Sequence, residues 1–134
     1  MPLTNYAKNR VMKAYFGITA VTPPASFWLA LFTGVPSVSG GGTEVVGGSY
    51  ARVEIVNNTT NWPVPTVGQI ICQFVATFPT PTAPWGSIVA VGMYDGSTGG
   101  NLETFYQLPV PKSIGTGDNY SFPIGNILVR LSGT

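Results

Sequence analysis

Residues 78–102, FPTPTAPWGSIVAVGMYDGSTGGNL, place three prolines directly before a run of β-branched residues. Each proline fixes its own φ angle and biases the preceding residue toward extended backbone, so the first part of this stretch excludes a helix. Residues 88–91, IVAV, favour a strand, and residues 95–101, DGSTGGN, are rich in turn formers. The stretch therefore predicts a stiff entry, a buried strand and a hairpin that leads into the apolar run at residues 102–108.

Charged residues make up only 8% of the 134-residue chain, against about 25% in an average soluble protein. The length fits one domain with a moderate core. Six basic and five acidic side chains leave a net charge of +1, so no overall field would attract nucleic acid or a membrane surface. A soluble monomer normally relies on a charged surface to avoid association, so either Ser, Thr and Asn solvate this surface or partners cover much of it. Of the two, we expect an oligomer or a larger assembly.

Residues 3–16, LTNYAKNRVMKAYF, are the segment that predicts a helix. Apolar residues recur on one face at spacings of four, four and three: Leu3, Ala7, Val11 and Ala14. Thr4 or Asn5 fits the N-cap, and Gly17 fits the position after the C-cap. The segment also holds three cations and no acid, namely Lys8, Arg10 and Lys13. We expect the helical region, residues 1–17, either to pack on a sheet with these charges in solvent or to dock through them on an acidic partner surface.

The rest of the chain, residues 18–134, is interpreted as a single β domain. Residues 26–33, SFWLALFT, are apolar on both alternating faces and predict a strand covered on both sides. Residues 50–56, YARVEIV, alternate as a half-exposed strand does. Between them, residues 34–49 are rich in Gly and Ser and predict a long surface loop.

The remaining strands are predicted from shorter apolar runs. These runs lie at residues 69–77, 88–94, 102–108, 120–122 and 127–131. Pro109 and Pro111 indicate an edge or a corner after the third of them. About seven short strands, with turn signals roughly every ten residues, predict a mainly β fold with one N-terminal α-helix. The expected architecture is an antiparallel β-sandwich or a jelly-roll-like barrel.

The residue types that most catalytic and metal sites need are absent or isolated. The chain has no histidine and one cysteine, which removes the commonest general base and argues against zinc. Cys72 lies in an apolar run and is interpreted as a buried, inert thiol. Asp95 and Glu103 lie near opposite ends of one predicted hairpin, but each is most simply a turn or surface acid. We therefore predict no catalytic residues, no metal site, no cofactor and no enzyme activity.

Aromatic side chains suggest one alternative function. Exposed rings on a β domain can form a platform for a sugar, and the candidates are Trp62, Trp85, Tyr50 and Tyr106. Aromatic residues also dominate the cores of β-sandwiches, so packing in the core or at a corner is the competing interpretation.

The N-terminal residues show no secretory pattern, because basic residues are spread through them and no apolar h-region follows. The longest apolar run is about six residues, far short of the roughly 20 that cross a bilayer. We expect the chain to be made and folded in the cytoplasm.

Several segments, taken in order, resemble one known family. They are LTNYAKNRVM, TPPASFWLALFT, GGGTEVVGGSYARV, TFPTPTAPWGSIVAVGMYD, TGGNL and a late GD before the last strands. Over nearly the whole chain they are similar to the small virion proteins of tailed bacteriophages that are often labelled phage tail fibre or minor tail protein. The resemblance implies a non-catalytic structural component of the virion, trimeric or otherwise oligomeric, and it implies no catalytic residues.

This resemblance leaves the position in the virion open. The chain has no coiled-coil heptads and no long β-repeat, so it does not form a long fibre shaft by itself. A compact domain with a docking helix suits a cement protein that decorates the capsid and contacts the major capsid protein. It equally suits a minor tail or tail-fibre component that contacts a tail protein. We expect capsid decoration, with the tail role close behind it and a carbohydrate-binding receptor module as the alternative.

Overall fold

The structure, a computed structural model, describes residues 1–131. Within these residues the chain forms one helix and nine short strands, and every strand pairs antiparallel with its neighbour. The elements are α1 (Asn5–Tyr15), β1 (Ser26–Gly34), β2 (Thr43–Glu44), β3 (Val53–Val56), β4 (Gln69–Ile71), β5 (Ala76–Thr77), β6 (Gly86–Tyr94), β7 (Leu102–Ile114), β8 (Ser121–Phe122) and β9 (Leu128–Arg130). The predicted fold class, mainly β and antiparallel with one N-terminal helix, is confirmed. The predicted domain runs to residue 134, and residues 132–134 lie outside the described part.

Strand β1 is the centre of a five-stranded sheet. It pairs with β6 along one side, and with β3 and then β2 along the other. Leu29 to Phe32 are fully buried, because the strand is covered on both faces as its apolar sequence predicts. The predicted loop at residues 34–49 contains β2, a strand of two residues that pairs with the end of β1.

The hairpin predicted for residues 78–108 is confirmed. Strand β6 pairs with β7, and the connecting loop closes where the Asp95 carboxylate accepts a hydrogen bond from the Asn101 amide at 2.7 Å. Strand β7 continues past Pro109 and Pro111 to Ile114. It tolerates both prolines because it is an edge strand of the sheet.

A second layer consists of two small ladders, β4 with β9 and β5 with β8. The single strand predicted at residues 69–77 is thus divided, since β4 and β5 pair with different partners. This division and the short β2 account for nine strands where about seven were predicted.

The main core lies between the large sheet and the two ladders. From the sheet it takes Leu29, Leu31, Ile55, Ile88, Val91 and Met93, and from the other layer Cys72, Ala76, Phe78 and Ile127. A register shift between Ile88 and Ala90 returns Ile88 to the face that carries Val91 and Met93, as a β-bulge does. Cys72 is buried as predicted, and burial raises the pKa of its thiol.

Residues 1–4 join the two layers, and we call them the N-terminal clasp. On one side the Leu3 amide donates to the Arg130 carbonyl of β9 at 3.1 Å. On the other side the Thr4 amide donates to the Glu103 carbonyl of β7 at 2.9 Å, and the Thr104 hydroxyl donates to the Pro2 carbonyl at 2.6 Å. Helix α1 therefore begins from a segment that is hydrogen-bonded to both layers.

Candidate functional site

Helix α1 is held at its first turn. Thr4 is its N-cap: the hydroxyl accepts from the Ala7 amide at 3.4 Å and donates to the Leu102 carbonyl of β7 at 2.6 Å. Ala7 is the helix residue that is buried. The helix ends as predicted, with Gly17 at φ 67° and the Ile18 amide bonded to the Lys13 carbonyl at 3.0 Å, which is the Schellman arrangement.

The second half of α1 extends away from the body of the protein. Every residue from 11 to 20 is exposed, and the segment at residues 11–18, which we call the helix tip, carries five large apolar side chains: Val11, Met12, Tyr15, Phe16 and Ile18. Tyr15 is 83% exposed, Phe16 65% and Ile18 73%. The rings of Tyr15 and Phe16 meet edge to face, with centroids 5.3 Å apart. An apolar cluster of this kind on a surface marks a contact site more often than it marks a free surface.

A cavity of about 390 Å³ lies under the helix, and we call it the helix cleft. Its walls are almost entirely apolar. The helix contributes Ala7, Val11 and Ala14, and the body contributes Phe27, Trp62, Ile70, Met93 and Val129. The segment that follows the helix contributes Val21, Pro23 and Pro24. The volume lies in the range that accepts a drug-sized ligand or a large side chain.

Two buried polar atoms in the cleft walls have no hydrogen-bond partner within the described residues. They are Nε1 of Trp62 and Oε1 of Glu103, whose residues are only 9% and 7% exposed. A buried polar group without a partner is costly, and native proteins contain few of them. Both residues line the cleft, but each of these two atoms is itself sealed from solvent.

A β-bulge explains how an acidic residue is placed in this cleft. Leu102 pairs with Tyr94, whereas Thr104 pairs with Met93, so Glu103 is the extra residue on β7. Bulges re-aim side chains, and the prediction that Glu103 is a surface acid is corrected. Burial, and next the negative charge of Asp95, raises the pKa of the Glu103 carboxyl to about 7, against the opposing effect of Arg10.

The three cations predicted to dock on a partner have different surroundings. Lys13 is exposed on the helix tip, and Lys8 is half-buried nearer the base. Arg10 lines the cleft, and its guanidinium donates to the Thr22 carbonyl at 2.7 Å and lies 5.6 Å above the Tyr6 ring. Arg10 thus ties down the segment after the helix, while docking through Lys8 and Lys13 stays a prediction.

Trp62 and Trp85, the residues considered for a sugar platform, lie in the core. Trp85 is 4% exposed, and its Nε1 donates to the Gly48 carbonyl at 2.9 Å. Its ring packs edge-on against Tyr50, with centroids 5.3 Å apart. Trp62 packs edge-on against Phe27, with centroids 5.7 Å apart. Neither tryptophan presents an exposed face on which a sugar ring could stack, which agrees with the competing interpretation of core packing.

Among residues 1–131 no group of three or more His, Cys, Asp or Glu side chains is placed to hold a metal ion. No helix in the same part of the chain is long and apolar enough to cross a membrane.

Sequence reasoning identified the helix but missed the cleft. The cleft brings together residues distant in sequence, such as Ala7, Trp62, Glu103 and Val129, and no local pattern predicts that. One signal for the exposed tip was present in the sequence, because helical spacing places Phe16 opposite the apolar face formed by Leu3, Ala7, Val11 and Ala14.

A family model described as "Podophage GP4 fiber I protein gp80" matches residues 2–130. The match spans residues 2–4 of the N-terminal clasp, the helix and all nine strands of the described chain. No curated protein matches the sequence.

Proposed function

Because the chain belongs to the family described as Podophage GP4 fiber I protein gp80, we propose that it is a structural component of a podophage fibre that docks through its helix tip. Family membership confirms the resemblance to structural proteins of phage virions. The proposal assigns the chain no catalytic role, which the family's description as a fibre protein supports.

The exposed helix tip carries the proposal. The base of α1 is fixed by the clasp and the Thr4 cap, whereas the tip presents Tyr15, Phe16 and Ile18 to solvent. Covering such side chains removes apolar surface from water at about 25 cal/mol for each Å². A rigid helix with an apolar end is thus suited to bind a neighbouring protein in an assembled particle.

The family's description as a fibre protein favours a fibre over the capsid surface, and capsid decoration stays a prediction. Counting copies in purified virions separates the two positions. A handful of copies per particle supports a fibre or tail position, and hundreds would indicate decoration of the capsid. The partners we propose are further copies of the chain, with a trimer favoured, and another structural protein of the virion.

The docking role is tested by incorporation into particles. Phage that lack this protein would be assembled in cells that supply it in trans, and its amount in purified particles would be measured by quantitative mass spectrometry. We expect the double variant Phe16→Ser/Ile18→Ser to lower incorporation at least about tenfold, since apolar anchors dominate interfaces.

The matched control is Val64→Ser/Val110→Ser, which removes two similarly exposed apolar side chains that are not part of the tip. It should incorporate at the level of the unaltered protein. Full incorporation of the tip variant, with both variants equally folded by circular dichroism, would contradict docking through the helix tip.

A further inference from the structure

Trp28 lies on the face of the large sheet opposite to the main core, because Ala30 and Phe32, which follow it at every second position of β1, belong to the separate cluster on that face. The indole is half-buried, and within residues 1–131 no aromatic ring packs against it and no group accepts from its Nε1. Unlike Nε1 of Trp62, this atom is not sealed from solvent. Trp28 is therefore a tryptophan that keeps part of its side chain free to contact a ligand.

A cavity of about 410 Å³ lies against Trp28, and we call it the Trp28 pocket. It combines the indole with several polar side chains, namely Glu44, Tyr50, Arg52, Ser97 and Thr98. The first three come from β2 and the segment before β3, and the last two come from the hairpin loop between β6 and β7. The volume lies within the range of small-molecule sites, which place a few polar groups around an aromatic or apolar surface.

The Glu44 carboxylate is held in place in this pocket without a ligand. Arg52 donates to its two oxygens at 2.8 and 2.9 Å, and the Tyr50 hydroxyl donates to Oε2 at 2.7 Å. These bonds use three of the roughly four acceptor positions of a carboxylate. The Glu44 side chain is still 21% exposed and lines the pocket, so it can accept one further hydrogen bond from a ligand.

The hairpin loop adds two free hydroxyl groups. Ser97 and Thr98 are exposed, and in the described part of the chain their hydroxyls make no hydrogen bond. The loop is fixed because the Arg52 guanidinium donates to the carbonyls of Gly96 and Gly99, on either side of these two residues, at 2.7 and 2.8 Å. Both hydroxyls are therefore held at the pocket and can donate to a ligand or accept from it.

The charges around the pocket favour a neutral ligand. Arg52 and Glu44 neutralise each other in one ion pair. Glu54, the cross-strand neighbour of Trp28 on β3, adds a negative charge that disfavours an anion, and the Arg52 guanidinium disfavours a cation.

We propose that the Trp28 pocket binds a neutral sugar. The C–H groups on one side of a pyranose ring stack on the negatively polarised face of an indole. The hydroxyls of the same ring donate to Glu44 and exchange hydrogen bonds with Ser97 and Thr98. This inference goes beyond docking through the helix tip, because no residue of the tip contributes to the pocket.

Nuclear magnetic resonance of the indole N–H groups tests the site directly. Methyl glycosides of glucose, galactose, mannose and N-acetylglucosamine would be added one at a time at millimolar concentration, the range expected for so small a ligand. We expect at least one of them to shift the Trp28 resonance, assigned with Trp28→Phe. The resonances of Trp62 and Trp85 should stay in place, because both rings are packed in the core.

A glycan array compares variants, with the chain coupled to beads so that many weak contacts act together. We expect Trp28→Ala to weaken binding to a neutral glycan at least about tenfold. Ser97→Ala/Thr98→Ala changes only exposed hydroxyls and should weaken it about three- to tenfold. The matched control is Thr59→Ala/Thr60→Ala, at two exposed hydroxyls of another turn, and it should bind as the unaltered protein does.

Failure to bind any neutral glycan on the array, together with an unchanged Trp28 resonance in all the methyl glycosides, would overturn this inference. Binding that neither Trp28→Ala nor Ser97→Ala/Thr98→Ala weakens would also overturn it, as would binding confined to acidic glycans. Incorporation into particles tests Phe16 and Ile18 and involves none of the pocket residues, so the docking role is judged separately.

Discussion

Glu103 is the residue whose protonation is linked most directly to folding. Its pKa is raised to about 7 in the folded protein, from 4.5 in the absence of burial and of the Asp95 charge. Between these pH values the folded state holds a proton that the unfolded state releases. The contribution of Glu103 to the free energy of unfolding is therefore fully present below about pH 4.5 and is lost as the pH rises through 7.

Replacing Glu103 by Gln should remove this dependence on pH. We expect the unaltered protein to lose about 1–2 kcal/mol of stability relative to Glu103→Gln between pH 4.5 and 8, allowing for solvent screening. Urea unfolding across this range measures the difference. If the free energy of unfolding varied with pH in the same way for Glu103→Gln and the unaltered protein, the Glu103 carboxyl would ionise in the folded protein as it does in the unfolded chain.

Arg52 is the residue that fastens the hairpin loop to the sheet. Its guanidinium makes two bonds to the Glu44 carboxylate, at 2.8 and 2.9 Å, and donates to the Gly96 and Gly99 carbonyls at 2.7 and 2.8 Å. It also lies 3.7 Å above the Tyr94 ring. The planar guanidinium of Arg52 directs several N–H donors at these groups at the same time. The single ammonium group of a lysine cannot make all of these contacts.

Arg52→Lys should therefore lower the free energy of unfolding by about 2 kcal/mol. Thermal or chemical unfolding measures this loss. Arg10→Lys is the comparison, because Arg10 is partly exposed and donates to one carbonyl of the backbone; it should cost less than about 1 kcal/mol. Equal losses in the two variants would contradict the role assigned to the Arg52 contacts.

At the scale of elements, helix α1 depends on one buried hydroxyl. Thr4 is 1% exposed and connects the helix start to β7. Thr4→Val keeps the shape of the side chain but removes the N-cap and leaves the Leu102 carbonyl without this donor. We expect a loss of about 1–3 kcal/mol in the free energy of unfolding. Thr4→Ser, which keeps the hydroxyl, should lose much less, and the same loss in both variants would rule out the hydrogen bonds as its cause.

The sequence predicted the helix ends and turns that are determined by residues close together in the chain. The start of the helix at Thr4 or Asn5, its end at Gly17 and the hairpin around residues 95–101 depend on neighbours a few positions apart, and all three were predicted; the structure selects Thr4 as the N-cap. Strands β4 and β5 have three and two residues, and they exist because the distant strands β9 and β8 pair with them. The bulge at Glu103 also requires knowledge of the register between β6 and β7, so the cleft could not be predicted.

At the scale of the whole molecule, the surface is even less charged than the composition suggests. Of the eleven charged side chains, Arg52 and Glu44 form a largely buried ion pair and Glu103 lies in the cleft. Few charges remain to keep separate copies apart. This distribution supports the expectation that partners cover much of the surface.

Hydrogen exchange should divide the molecule into two parts. Strands β1 and β6 share one core and should exchange only through global unfolding, whereas residues 12–18 should exchange through local opening, because all of them are exposed. Exchange followed by mass spectrometry at low and high protein concentration measures both. We expect the tip amides to slow at least about tenfold on association, while those of β1 stay unchanged. Slowing elsewhere with an unchanged tip would place the contact on another surface.

The N-terminal clasp also determines how the protein bears mechanical force. A pull on the helix tip passes along α1 to residues 2–4, where bonds to β7 and to β9 resist it together. The tension is then shared between β7, an edge strand of the large sheet, and β9 of the second layer. A protein fastened by this helix to a diffusing particle would transmit drag into its whole core.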